Sequence, residues 1–171
     1  LQRAKRDHVG SLVFDQNWDS GDHGGLLIMQ ELRRAIDDDE FTCHFQPQLD
    51  VLTDQVVAVE SLVRWHHPQR GLIPAEQFLT AVEQTALIRP LTDLVLEKSL
   101  TQLRAWDAQG LQLRMSVNLS ATNLMDRALP LRVAQMLASH RIPAPRLTLE
   151  ITETAVTGDQ DRLSAVLGQL H

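Results

Sequence analysis

Residues 56–65 read Val56-Val57-Ala58-Val59-Glu60-Ser61-Leu62-Val63-Arg64-Trp65. β-Branched and apolar side chains dominate, so the run predicts a buried strand. Glu60 is the misfit. An ionised carboxylate in such a strand costs several kcal/mol unless a cation compensates it. Two compensators are open: a bound metal ion, or Arg64, four residues on and on the same strand face.

The rest of the chain sets the frame. Its 171 residues, 43% of them hydrophobic, are enough for one domain with a real core. Sixteen basic residues against 22 acidic ones leave a net charge of −6, which argues against a nucleic-acid polymer as partner. A small anionic substrate is still compatible, because the charge of a site need not follow the total. The single cysteine, Cys43, excludes an internal disulfide and suits a reducing cytosol. No apolar run is long enough to span a bilayer and no signal peptide is evident. The expected location is therefore cytoplasmic, or the cytoplasmic portion of a larger, membrane-anchored protein.

Along the chain, helical and strand patterns alternate. Residues 3–6 resemble a helix end, residues 11–14 a short strand, and residues 16–25 a polar linker. A helix is predicted over 26–36, ending in the acidic run Asp37-Asp38-Asp39-Glu40, which reads as a solvated boundary. A strand over 41–48, a turn over 50–54 and the Glu60 strand predict a hairpin. Pro74 opens a helix, a second helix covers about 91–109, and Gly110 closes it. Strand 113–119, helix 130–140, strand 146–153 and a helix from about 159 complete the pattern. Such alternation with short links predicts an α/β fold with a parallel sheet behind its opening hairpin.

Strands of a buried parallel sheet usually read apolar on both faces. These are two-faced. Phe41, Cys43 and Phe45 oppose Thr42, His44, Gln46 and Gln48. Leu113, Met115, Val117 and Leu119 oppose Ser116, Asn118 and Ser120; Leu147, Leu149 and Ile151 oppose Thr148, Glu150 and Thr152. The apolar faces must meet the helices, so the polar ones line a shared cleft. That places Glu60, Asn118 and Glu150 together near the carboxyl ends of their strands, where βα folds hold their sites. Two carboxylates and a carboxamide suit a hard cation, Mg²⁺ or Mn²⁺. Without one, two anions in one cleft would repel each other. Glu153, three residues past Glu150, falls on the other face and reads as a strand-end or helix-capping group.

The motifs that carry this pattern are Phe45-Gln46-Pro47, Glu60-Ser61-Leu62-Val63-Arg64-Trp65 with His67-Pro68 and Gly71-Leu72-Ile73-Pro74, Val117-Asn118-Leu119-Ser120, and Leu149-Glu150-Ile151-Thr152-Glu153. In order and spacing they resemble the EAL domain, the family of cyclic-di-GMP-specific phosphodiesterases built on a TIM-like barrel. The resemblance runs from about residue 25 to the end. It implies that Glu60, in the name-giving motif with Ser61 in place of alanine, ligates a metal, as do Asn118 and Glu150. Gln46, Leu62 and Arg64 match its substrate-contacting positions, and a guanidinium suits a phosphate. The implied chemistry is two-metal hydrolysis, with a metal-activated water opening cyclic-di-GMP to linear pGpG. Pairing of two copies through the domain is left open.

Residues 1–24 are similar, more faintly, to the C-terminal end of a GGDEF (diguanylate cyclase) domain plus linker, through Arg3-Ala4-Lys5-Arg6-Asp7 and Val13-Phe14-Asp15. No cyclase signature is present. The family's next strand carries an Asp-Asp-Phe-Gly motif whose aspartates bind the metals, and His171 precedes it. A TIM-type barrel typically takes about 250 residues. The expectation is therefore the first half of a TIM-like barrel, truncated, with half of the metal site and no turnover of its own. A degenerate cyclic-di-GMP receptor and a ligand-free scaffold are the alternatives.

The remaining reactive residues read as structural. His66 and His67 point to opposite strand faces, so they cannot pair on a metal. Cys43 lies on the apolar face as a core residue, and Trp65 and Trp106 read as packing.

Overall fold

The computed structural model of the protein describes residues 22–151 and 160–170, with side chains over 29–151 and 164–170. The cyclase-like stretch, the strand read at 11–14 and Glu153 lie outside the described residues.

Helix α1 (Asp22–Asp37) leads into the hairpin of β1 (Phe41–Asp50) and β2 (Gln55–His67). It begins four residues before the predicted start, so its first turn takes in the Gly24-Gly25 end of the expected linker. The hairpin turn is built by Asp50, whose Oδ1 accepts the backbone N–H groups of Leu52 (2.9 Å) and Thr53 (3.2 Å). Asp54 completes the reversal in the left-handed region at φ 54°, a conformation that Asn and Asp tolerate better than most.

Strand β3 (Gly71–Pro74) folds back antiparallel on the end of β2. Sequence reading missed it because four residues show too little periodicity; Pro74 both ends this strand and caps the 3₁₀ turn that follows, so a helical turn does open there as expected. A 3₁₀ turn at Ala75–Gln77 and the short helix α2 (Leu79–Glu83) succeed it. The long helix α3 (Ile88–Ala108) comes next, closed by Gly110 at φ 81°, where a side chain would be strained.

Then come β4 (Arg114–Leu119), the short helix α4 (Ala121–Leu124), α5 (Leu129–His140), β5 (Leu147–Ile151) and α6 (Gln160–Leu170). Arg146, expected in the last strand, belongs to a 3₁₀ turn in front of it. The sheet has the order β1-β2-β4-β5, with β3 attached to β2. Only the opening pair and β3 are antiparallel; β2, β4 and β5 run parallel. This is the expected α/β architecture of a barrel's first half.

The core lies between the apolar strand faces and the helices. Leu91, Leu96, Leu100 and Leu103 of α3 are buried with Val59, Met115 and Val117. At the end of the sheet where β2 meets β3, Phe41, Trp65 and Phe78 pack with ring centroids 5.4–5.8 Å apart, geometry that favours aromatic pairs. Phe45 meets Trp106 edge-on at 5.1 Å. Trp65, Trp106 and Cys43 thus have the packing roles expected of them.

Candidate functional site

Strand register assembles the site. Gln46 stands opposite Glu60, Glu60 beside Ser116, and Ser116 beside Thr148. One step along the same face, His44 stands opposite Leu62, and Asn118 beside Glu150. Arg64 follows opposite Thr42. All six residues selected from sequence therefore share one face of one sheet, on the side away from α3. Because side chains alternate, a slip of one residue in any strand would bury these groups and expose the leucines.

The closest approach within the site joins Glu60 to Asn118. Asn118 Nδ2 donates a 2.7 Å hydrogen bond to Glu60 Oε1. Asn118 is uncharged, so this contact supplies neither of the two compensators open to Glu60. Arg64 does not neutralise it; the Arg64 Nη1 donates at 2.9 Å to the carbonyl of Val63. Glu150 stands beside Asn118 by register. The donor set, two carboxylates and a carboxamide on one face, fits a hard divalent cation in its chemistry. Among the described residues no group of three or more His, Cys, Asp or Glu gathers for a metal; this face brings two carboxylates and an amide.

Behind Glu60 the strand is locked into the core. Ser61 is buried, and the Ser99 hydroxyl of α3 donates to its Oγ at 2.7 Å. Cys43 joins this pair: burial pushes its thiol pKa up from the ordinary value, opposed by side-chain hydrogen bonds with Ser61 and Ser99. A thiol so shielded is a poor nucleophile. The chain after Asn118 is anchored as well, with Asn123 Nδ2 donating to Thr92 Oγ1 at 2.7 Å in a fully buried contact.

Two readings sharpen around β2. His67 is buried, and its Nδ1 accepts the backbone N–H groups of Gln69 (3.1 Å) and Arg70 (3.2 Å), so the ring caps the turn after β2. Glu40, expected to be solvated with its acidic neighbours, instead accepts from Trp65 Nε1 at 2.8 Å and pairs with Arg34 at 3.3 Å. Asp37, Asp38 and Asp39 are exposed as expected, and Asp39 pairs with Lys98 at 2.6 Å. Neither the Ser61–Ser99 contact nor the Glu40–Trp65 contact has a sequence signature, because each joins positions 25 or more residues apart.

The fold is that of a barrel-type α/β domain whose polar groups share one sheet face: Asn118 and Glu150 near the carboxyl ends of their strands, Glu60 in the middle of β2 rather than at its end as expected. The EAL domain family matches residues 29–171, and the chain belongs to that family. Among curated proteins it is similar to a cyclic di-GMP phosphodiesterase of Pseudomonas aeruginosa, 32% identical over 165 residues, covering 96% of this chain and 28% of that protein. It is also similar to the bifunctional diguanylate cyclase/cyclic di-GMP phosphodiesterase MucR of the same organism, 32% identical over 162 residues and covering 94% and 24%. The solved MucR phosphodiesterase in complex with c-di-GMP superimposes with a TM-score of 0.78 at 34% identity, covering 84% of this chain and 59% of that one. The chain thus spans about a quarter of the length of these two curated relatives.

Proposed function

We propose that this chain carries the first half of a cyclic-di-GMP phosphodiesterase site, in which Glu60, Asn118 and Glu150 hold Mg²⁺ or Mn²⁺ and Gln46, Leu62 and Arg64 hold the dinucleotide. The observation that carries this reading is the 2.7 Å contact between Asn118 and Glu60. It keeps a carboxylate and a carboxamide from two strands within reach of one ion and leaves the second Glu60 oxygen available. A divalent cation bound there would supply an activated water and charge neutralisation for cleavage of a phosphodiester to pGpG. The chain's own residues orient the ligand. Arg64 offers guanidinium N–H groups to a phosphate, Gln46 offers an amide opposite Glu60, and Leu62 between them supplies apolar contact.

In this reading the described residues supply two carboxylate ligands, and binding of the dinucleotide without its hydrolysis is the expected behaviour. The expected setting is the cytoplasm, or the cytoplasmic portion of a larger protein. No described helix is long and apolar enough to cross a membrane. Pairing of two copies through the domain is a further part of this reading.

Calorimetric titration with cyclic-di-GMP in Mg²⁺, run beside an assay for pGpG, tests the proposal. Binding without product is expected. Product formation would overturn the claim of inactivity, and absence of binding would leave the scaffold alternative.

A further inference from the structure

Among the residues of the site face without an assigned role, His44 is the one that can carry charge or donate from a ring. His44 lies on β1 two positions before Gln46, on the polar side of the strand, and is exposed. It stands opposite Leu62, which makes Glu60 and Arg64 its two diagonal neighbours on β2. Diagonal pairs across antiparallel strands lie about 7–8 Å apart, within reach of long side chains. The parallel register Ser61↔Val117 puts Leu62 level with Asn118, and Asn118 pairs with Glu150. His44, Leu62, Asn118 and Glu150 therefore form one row across four strands, about 14 Å wide at the usual strand spacing.

Nothing structural accounts for the imidazole. Among the described residues it makes no hydrogen bond or ion pair, whereas His67 on the neighbouring strand is buried and caps a turn. A ring with one N–H donor, free and exposed, flanks both an arginine and a carboxylate assigned to a cation. Those two neighbours each favour an anion, one directly and the other through its cation.

We propose that His44 contacts the ligand of this site, donating a ring N–H to a phosphate oxygen of the cyclic dinucleotide. This rests on the reading of the site given above. Its role is binding, beside Arg64.

The test is titration of the 171-residue chain and its H44A and H44Q variants with cyclic-di-GMP in Mg²⁺, with Mn²⁺ affinity and thermal unfolding measured on each. Loss of one such hydrogen bond predicts roughly five- to tenfold weaker binding for H44A. H44Q, which keeps an N–H donor at similar reach, should stay within about threefold of the parent. Unfolding temperature and Mn²⁺ affinity should not change in either variant. Binding by H44A within about twofold of the parent overturns the proposal while leaving the site reading intact. A loss accompanied by an equal loss of Mn²⁺ affinity or of thermal stability also overturns it, since His44 would then act through the fold. A parent chain that binds no cyclic-di-GMP removes the site reading and this inference with it.

Discussion

Replacing Ser61 by alanine restores the residue that gives the EAL motif its name, yet it should destabilise this chain. The Ser61 and Ser99 hydroxyls sit 2.7 Å apart, with the two residues 3% and 0% exposed. Removing either one strands the other in the core, at a cost of about 1–3 kcal/mol. The Cys43 thiol, its pKa raised by burial, lies close enough to both hydroxyls for them to oppose that rise and would offset part of that loss, so about 1–2 kcal/mol is expected for S61A. S99A should cost slightly less, because Ser99 lies inside α3 and alanine is the better helix former by roughly 0.5 kcal/mol. The double variant removes donor and acceptor together. It should lose less than the two single losses added, giving a coupling of about 1 kcal/mol. Urea unfolding followed by tryptophan fluorescence reads all four proteins. For a domain of this size each kcal/mol also moves the midpoint of thermal unfolding by about 2–4 °C. Additive losses, or an S61A chain as stable as the parent, would refute the argument that these hydroxyls depend on one another.

Other contacts lead to further expected outcomes. E60Q should lower Mn²⁺ affinity more than about tenfold with little change in urea midpoint, measured by metal titration; equal affinity would remove Glu60 from the ligand set. Asp126 accepts from Arg132 Nη1 at 2.7 Å, and that hydrogen bond is the main reason its carboxyl is held below the usual carboxylate range. A depressed folded-state pKa contributes stability above the unfolded value near about 3.9 and loses it as pH falls further. D126N should therefore cost about 1–2 kcal/mol at pH 7 and progressively less below about pH 4, as read by unfolding at each pH. E40A should cost about 1–2 kcal/mol by leaving Trp65 Nε1 without its partner; E40Q, which keeps a carbonyl acceptor, should cost less than half of that in the same assay.

The fold was legible where period and composition agree. The β-branched run around Glu60 and the leucines of α3 identify their elements without help from the rest of the chain. Short elements were not legible. β3 has four residues and α4 has four, too few for either period to register, and each depends on tertiary contacts for its existence. Pro74 shows the limit most clearly. Proline favours both a first helical turn and a strand end, and Pro74 serves as both, pairing with Arg64 across β2 and β3 while capping the 3₁₀ turn that follows; only the helical half of that was legible.

The site was legible for a different reason. Alternation along a strand is a local property, so the polar face of each strand could be written down from its own residues. Which polar residues become neighbours depends on register, and register is a relation between strands. It is the pairing of Gln46 with Glu60, and one step along of Asn118 with Glu150, that turns four separate alternations into two adjacent rows on one polar face. The same dependence bears on the charge of Glu60, for which the sequence leaves two compensators open. Arg64 lies on the same strand and face as Glu60, and spacing alone makes them partners. The parallel neighbour brings Asn118 to the carboxylate instead, leaving Arg64 on the carbonyl of Val63. A strand's own pattern fixes which groups face the cleft; its neighbours fix which of those groups meet.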